Sequence, residues 1–284
     1  MTYSPLTGQD FLVFSQETQS SDSDMSAPFA LGEALLRAVG SPSDQPILHF
    51  WSLDQAILLG MTDTKLPDLS EGLKVFARAS YHPFVRNAGG LAVVCSRGVT
   101  NFSLLFPNQM ASPISIDQAY SWMKDLIVAA FPEAEGRIEA YEIVDSYCPG
   151  DFDLSIGGKK FAGIAQRRFK GGISVLIYLS VFGDQDYRGQ LIRSFYEAGQ
   201  AQAASKWHFP LVNPDSMANL SDLLGIELTV QDVQDRIMAS LVDMGSSLSE
   251  GLLTPQIQTD YEKALEKIQS RNLRLNVDER GARK

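Results

Sequence analysis

The segment LSIGGKKFAG, residues 154–163, predicts the local fold around which the rest of the chain is arranged. Strand-like residues flank Gly157-Gly158, and a Gly-Gly pair supplies the positive φ angles that a two-residue β-hairpin turn requires. We therefore expect a tight hairpin from which Lys160 projects as part of a rigid strand. Because successive side chains of a strand point to opposite faces, only one of Lys159 and Lys160 can enter a cleft, and we expect it to be Lys160.

A thiol precedes this hairpin. Cys148 lies twelve residues before Lys160 and is followed by Pro149-Gly150, which predicts a turn and a short, partly exposed loop. A fixed ammonium near a thiol favours the thiolate, which is the nucleophilic form of cysteine. The alternative is that Cys148 is a small buried hydrophobic residue and that both lysines are solvated. One cysteine and one lysine leave both interpretations open.

The composition is that of an ordinary globular protein. The chain has 284 residues, of which 44% are hydrophobic and 20% charged, so it can bury a full core. It contains no run of about 18 apolar residues, and its N-terminus lacks a basic region followed by an apolar stretch. We therefore predict neither a membrane span nor a secretory signal, and expect a cytoplasmic protein.

The net charge and the metal-ligating residues argue against several classes of function. A formal net charge of −10 argues against nucleic-acid binding, which depends on neutralising phosphates. Two cysteines and three scattered histidines form neither a disulfide framework nor a metal-ligand pattern, so we expect no metal site and no Ser-His-Asp triad. One basic island either steers an acidic partner or is a solvated hairpin face; it comprises Lys159, Lys160, Arg167, Arg168 and Lys170.

A second glycine pair lies between apolar runs in residues 84–106. Gly89-Gly90 allows the backbone there to pass close to another group, although such a pair is often only a turn. The spacing fits neither a P-loop nor a dinucleotide-binding motif.

Periodicity predicts the remaining elements. We expect helices over residues 28–39, 115–130 and 188–198, strands over 47–51, 56–59 and 171–181, a loop over 63–72, and only helices after Ser216. The strand pairs resemble hairpins and lack regular crossovers. This favours an α+β fold with a mixed, largely antiparallel sheet flanked by helices and a helical C-terminal extension.

The sequence predicts four segments. Residues 1–25 are polar and expected to be weakly ordered, residues 26–215 form the catalytic domain, and residues 216–275 form the helical extension packed on it. Residues 276–284 are charged and expected to be a disordered tail.

Three motifs together resemble a known superfamily. VRNAGGLAVV at 85–94 with Asn101 downstream, and GKKFAGIAQ at 158–166, are similar to the two motifs of the lipoate/biotin protein ligase superfamily. The resemblance extends from about Pro28 to Leu224, and Trp51 and Gly60 fit the early strand pair of the superfamily. Within it, SYCPG at 146–150 resembles the octanoyl-[glycine-cleavage H protein]:protein N-octanoyltransferase branch.

The resemblance implies an activity and its participants. It implies a biotin/lipoate protein ligase-like fold and a cysteine-dependent amidotransferase that needs no cofactor. The donor would be the octanoylated lysine of the glycine-cleavage H protein, and the acceptors would be lipoyl domains of 2-oxoacid dehydrogenases. By this resemblance Cys148 would be the nucleophile, Lys160 would contact the acyl carbonyl, and the substrate-binding residues would be Arg86, Asn87, Gly89, Gly90, Leu91 and Gly163.

Two other functions remain as alternatives. One is an ATP-dependent lipoate-protein ligase; the other is a non-catalytic scaffold that binds lipoyl domains. ATP-dependent ligases of the superfamily typically carry a third glycine and a His-Asp pair after the Arg-Gly-Gly element, where this chain has Leu91 and Val94-Cys95-Ser96. The second cysteine, Cys95, lies in an apolar run and is expected to be buried packing.

Overall fold

The computed structural model describes residues 4–16, 24–41, 44–108 and 113–281, with side chains described up to residue 273. The strands are β1 (Asp10–Ser15), β2 (Ile47–Trp51), β3 (Ala56–Leu59), β4 (His82–Val85), β5 (Val93–Cys95), β6 (Val99–Pro107), β7 (Ile138–Ala140), β8 (Leu154–Ile156), β9 (Lys159–Phe169), β10 (Gly172–Ser180) and β11 (Ser247–Glu250). The helices are α1 (Ala27–Ala38), α2 (Leu69–Arg78), α3 (Ile116–Ala130), α4 (Gln185–Ala198), α5 (Leu220–Leu224), α6 (Val230–Asp243) and α7 (Pro255–Gly281).

Within the described ranges the strands form two sheets. The larger has eight strands in the order β11-β1-β2-β6-β10-β9-β8-β7, and the smaller has three in the order β4-β3-β5. In the larger sheet β1 runs parallel to β2 and β11, whereas all other neighbours are antiparallel. The predicted α+β fold with a mixed, largely antiparallel sheet is therefore confirmed.

Helices cover both faces of the larger sheet. One face packs against α3 and α6 through residues such as Phe102 and Leu104. The opposite face carries Ile47 and Leu105, which pack against α1, and α7 lies beside α1. The smaller sheet belongs to a separate cluster of buried residues that includes side chains of α2 and α4. The space between the α1 face of the larger sheet and the smaller sheet is where the candidate site lies.

The central hairpin has the predicted form. β8 and β9 are antiparallel, and both turn glycines have positive φ angles, 58° at Gly157 and 76° at Gly158. Lys160 is buried, whereas Lys159 is exposed. The predicted difference between the two adjacent lysines is thus confirmed.

The predicted loop over residues 63–72 is wrong. A 3-10 turn at Asp63–Lys65 leads into α2, whose N-terminus is capped by the Asp68 side chain accepting from the Glu71 N–H. Gly72, which in sequence suggests a break, lies inside this helix. A Cβ atom there would come 2.9 Å from the Phe195 ring, so the glycine permits close packing of α2 on α4.

The predicted weak order of residues 1–25 is wrong for Asp10–Ser15, which form β1 inside the larger sheet. Residues 1–3 and 17–23 lie outside the described residues. The purely helical C-terminal pattern is interrupted by β11, an exposed strand that pairs with β1. The alternation of β11 is too weak to be recognised in sequence, because only Leu248 of its four residues is apolar.

Helix α7 continues through residues 276–281, part of the predicted disordered tail, and residues 282–284 lie outside the described residues. The boundaries assigned to the catalytic domain and the extension remain predictions. No helix in the described part of the chain combines the length and apolarity needed to cross a membrane.

Candidate functional site

A cavity of about 350 Å³ lies beside the hairpin. Its apolar walls include Phe29, Trp51, Leu58 and Leu176. The cavity brings together most of the predicted site residues, namely Arg86, Gly89, Gly90, Cys148, Lys160 and Gly163. Asn87 and Leu91 are not among its lining residues, and both contribute in other ways.

The thiol of Cys148 is partly exposed and held by the 86–91 loop. Cys148 has a φ angle of 49°, an uncommon left-handed conformation for a residue with a side chain. The Leu91 backbone N–H donates to Sγ at 3.1 Å, and Arg86 Nη2 lies 3.9 Å from the same sulfur. The sulfur therefore faces a backbone N–H donor and a guanidinium charge.

Arg86 shapes the loop that supplies this donor. Its buried guanidinium donates to the carbonyl oxygens of Leu58, Gly89 and Leu91 at 2.8–3.1 Å. These contacts close residues 86–91 around the arginine. Leu91 thus acts through its backbone, and Gly89 through its carbonyl oxygen.

Gly90 approaches the thiol closely, which is one of the two interpretations that the sequence leaves open for this glycine pair. Its φ angle is 92°, and a Cβ atom on it would lie 2.8 Å from Cys148 Sγ and 2.6 Å from Arg86 Nη2. Both the conformation and the space therefore require glycine at this position.

Lys160 holds the backbone that carries the thiol. Its Nζ donates to Ser146 Oγ at 3.1 Å, to the Tyr147 carbonyl at 3.1 Å and to the Cys148 carbonyl at 2.8 Å. The sequence predicts an ammonium beside the sulfur. The structure instead places the ammonium on the cysteine backbone, while the contacts at Sγ come from Leu91 and Arg86.

The counter-ion of Lys160 is Asp153, to which the sequence assigns no role. Nζ lies 2.9 Å from Oδ1, and the other carboxylate oxygen accepts the N–H groups of Ile143 and Gly150. Burial raises the pKa of Asp153 above its usual value, although the Lys160 charge opposes this change. The pair lies in the cavity wall, and its charges balance in a poorly solvated site.

Asn87 connects the loop to α1 without lining the main cavity. Its Nδ2 donates to Glu33 Oε2 at 3.1 Å, and Glu33 also pairs with Arg37 and Arg167. Burial tends to raise the pKa of Glu33, but Arg167 and the three hydrogen bonds hold it below its usual value. Arg167, a member of the predicted basic island, thus forms an ion pair with the buried carboxylate of Glu33.

A buried network supports the far end of the loop. Tyr196 Oη donates to Asp63 Oδ1 at 2.9 Å and accepts the Ala92 N–H at 3.3 Å. Asp63 also accepts the Gly60 N–H at 2.7 Å, and its burial raises its pKa to about 6. No pattern in the sequence indicates this network, because Asp63 and Tyr196 are far apart along the chain.

Cys95 is the buried packing residue that the sequence predicts. It is fully buried, and burial raises the pKa of its thiol to about 12. It is therefore a poor nucleophile at neutral pH.

Comparison with solved structures identifies the fold. The chain superposes on lipoate-protein ligase A bound with ATP with a TM-score of 0.68 and 18% identity, covering 91% of this chain and 94% of that one. A bi-partite lipoate protein ligase from Thermoplasma acidophilum gives a TM-score of 0.66 at 18% identity, covering 91% and 92%.

Comparison of sequences identifies the family. Residues 24–242 match the family model described as the lipoyl protein ligase A/B catalytic domain. The octanoyl-[GcvH]:protein N-octanoyltransferase of Anoxybacillus flavithermus is 42% identical over 249 residues, covering 88% of this chain and 90% of the relative. That of Oceanobacillus iheyensis is 40% identical over 244 residues, covering 86% and 87%. The chain therefore belongs to the lipoyl protein ligase A/B catalytic domain family and, within it, to the protein N-octanoyltransferases.

Proposed function

We propose that this enzyme moves an octanoyl group from a lysine of the glycine-cleavage H protein to lysines of lipoyl domains of 2-oxoacid dehydrogenases, through a thioester on Cys148. The observation that carries the proposal is the position of the thiol. Cys148 Sγ lines an apolar cavity and accepts the Leu91 N–H beside the Arg86 guanidinium. The relatives named above carry the H protein, GcvH, in their own names as the octanoyl donor.

The first step forms the acyl-enzyme. The Cys148 thiolate attacks the carbonyl carbon of the octanoyl amide, and a tetrahedral oxyanion forms. The C–N bond then breaks, and the lysine of the H protein leaves as an amine that takes up a proton. A C–S bond has replaced a C–N bond.

The second step transfers the group to the acceptor. The neutral amine of an acceptor lysine attacks the thioester carbonyl, the C–S bond breaks, and the thiolate is regenerated as the amine loses a proton. Overall, one lysine amide replaces another. The reaction therefore needs no input of free energy from a nucleotide.

Lys160 supports the chemistry from the backbone of the cysteine loop. An ammonium has three N–H donors, and Nζ already faces four oxygens, those of Ser146, Tyr147, Cys148 and Asp153. Contact with the acyl oxygen therefore requires the exchange of one of these partners. In the proposed mechanism Lys160 holds the thiol in place, and its positive charge stabilises the negatively charged oxyanion.

The apolar walls suit the acyl chain. Phe29, Trp51, Leu58, Val93 and Leu176 line the cavity without offering charged groups. At about 0.8 kcal/mol per buried methylene, an octanoyl chain gains several kcal/mol before ordering costs. The walls thus favour a medium-length chain.

Intact-mass spectrometry tests the proposal directly. The enzyme mixed with octanoylated H protein should gain one octanoyl group on the peptide that contains Cys148. Hydroxylamine should remove this group, and an apo lipoyl domain should accept it in the absence of ATP. Cys148→Ala should form no adduct, whereas the matched variant Cys95→Ala should behave as wild type.

Four outcomes would contradict the proposal. Octanoyl label on Cys95, or wild-type transfer by Cys148→Ala, would exclude the cysteine mechanism. A strict requirement for ATP and a free acid would indicate a lipoate-protein ligase. Binding of lipoyl domains without any adduct would indicate a scaffold.

A further inference from the structure

A second, much smaller cavity lies next to the acyl cavity. Its volume is about 20 Å³, and it shares Phe29, Trp51, Ala88 and Leu176 with the larger cavity. Its lining also includes polar side chains, among them His49, Ser103 and Ser174. A cavity of about 10–15 Å³ on this measure holds one water molecule when polar groups surround it.

Strand register locates this polar pocket. Trp51, Asn101 and Tyr178 are neighbours across β2, β6 and β10 and line the acyl cavity. Two residues further along the same strands, the neighbours are His49, Ser103 and Leu176. Two residues span about 6.8 Å, so the polar pocket continues the acyl cavity along the sheet.

His49 has an unused hydrogen-bonding atom in this pocket. The residue is fully buried, and its Nε2 lies 2.9 Å from Gln16 Oε1. Burial lowers the pKa of His49 to about 3, so the ring is neutral. Because Nε2–H donates to the Gln16 oxygen, Nδ1 is an acceptor, and it has no hydrogen-bond partner among the described residues.

We propose that the polar pocket binds one water molecule that donates to His49 Nδ1, and that this polar end sets the upper limit on the length of the acyl chain. The inference rests on the proposed acyl transfer. It assigns to His49 a role in substrate selection, and the other polar side chains of the lining are Asn87, Ser103, Arg167 and Ser174.

The expected selectivity follows from two opposing effects. Each additional methylene that enters an apolar cavity improves binding by about fourfold. A methylene that displaces the water leaves the buried His49 nitrogen unpaired, which weakens binding by about fivefold to hundredfold. A chain that reaches the polar pocket should therefore react more slowly than one that stops before it.

The experiment compares donors of different chain lengths. H protein carrying a hexanoyl, octanoyl, decanoyl or dodecanoyl group on its lysine is mixed with enzyme, and the rate of adduct formation is followed by intact mass. His49→Leu, which keeps side-chain volume but removes the acceptor, should raise the decanoyl-to-octanoyl rate ratio by about tenfold. The double variant Ser103→Ala/Ser174→Ala should raise it in the same direction and decides the matter if His49→Leu does not fold.

Thr100→Val is the matched control. Thr100 lies on the same strand as Ser103 and has a buried hydroxyl without a partner among the described residues, but it does not line the polar pocket. Its chain-length profile should equal that of wild type.

The outcomes separate this inference from the proposed function. If wild type forms no adduct with any donor, the acyl-enzyme mechanism itself fails. If wild type forms the adduct but the polar-pocket variants keep the wild-type ratio, the chain-length inference alone is overturned. A crystal structure of the octanoyl-enzyme should show a water within hydrogen-bond distance of His49 Nδ1; the end of the octanoyl chain in its place would also overturn it.

Discussion

Replacement of Lys160 by methionine should leave the Asp153 carboxylate without its cation in a nearly dry site. The two side chains are 5% and 2% exposed, and Nζ lies 2.9 Å from Oδ1. Breaking a buried ion pair by removing one partner costs about 3–5 kcal/mol. We expect Lys160→Met to lower the free energy of unfolding by about this amount and to abolish octanoyl transfer, because Ser146 Oγ and the carbonyls of Tyr147 and Cys148 lose their hydrogen bonds to Nζ.

A second substitution separates the two effects. In Lys160→Met/Asp153→Asn the buried charge is removed, and the amide oxygen of asparagine can still accept the N–H groups of Ile143 and Gly150. We expect the double variant to regain about 2 kcal/mol or more of the lost stability. Transfer should stay near zero, because the cation that holds the cysteine loop is still absent.

The stability of the single variant Lys160→Met should also depend on pH. Burial already raises the pKa of Asp153, and removing Lys160 removes the main opposing charge. A carboxyl group whose pKa is raised in the folded state stabilises the fold at low pH, and this contribution is lost as the pH rises through the folded-state pKa. Lys160→Met should therefore be less destabilised, relative to wild type, at pH 5 than at pH 8.

Urea unfolding at both pH values and single-turnover adduct formation measure these effects. Lys159→Met is the control, because Lys159 is exposed and its replacement should change stability by no more than about 0.5 kcal/mol. Recovery of wild-type transfer in the double variant would show that Lys160 acts only by neutralising Asp153. Equal loss of transfer in Lys159→Met would refute the assignment of the two lysine faces.

Two further predictions use other contacts of the site. Gly90→Ala should slow adduct formation by about tenfold to hundredfold, because the strain of a left-handed alanine adds to its clash with Cys148 Sγ. Gly89→Ala should have a milder effect, because the space around its Cβ is open. Equal rates in the two variants would contradict the close approach of Gly90 to the sulfur. Asp63, with a pKa raised to about 6, should make wild type lose about 2 kcal/mol of stability relative to Asp63→Asn between pH 4 and pH 7. Urea unfolding that shows a pH-independent difference would contradict this.

The parts of the fold that could be predicted are those with strong local patterns. The hairpin follows from alternation around a glycine pair, and the same alternation assigns opposite faces to Lys159 and Lys160. Helix α6, one of the helices expected after Ser216, begins with a capping box formed by Thr229 and Asp232. The sequence does not indicate helix α2, because Gly72 resembles a helix break, although this glycine permits close packing of α2 on α4.

The geometry of the candidate site could be predicted only in part. Resemblance brings Arg86, Gly90, Cys148 and Lys160 to one site, but neither resemblance nor spacing shows which group faces the sulfur. Leu91 is 57 residues from Cys148 and acts through a backbone N–H, so its side chain carries no signal of this role. The pairing of Lys160 with Asp153 has no sequence pattern either, because a lysine and an aspartate seven residues apart in the sequence are usually both solvated.

The C-terminal helix is part of this geometry, although its sequence suggests an appendage. Asn272 accepts the Val85 N–H at 2.7 Å and donates to the Val85 carbonyl at 3.2 Å, so its amide pairs with the free edge of β4. The next residue after Val85 is Arg86, whose guanidinium closes the loop that presents the Leu91 N–H to Cys148. Because Tyr196 holds the other end of the loop at Ala92, the backbone donor at the sulfur is positioned from two distant parts of the chain. A motif of ten residues can therefore indicate the site, but the placement of its donor depends on helices more than a hundred residues away.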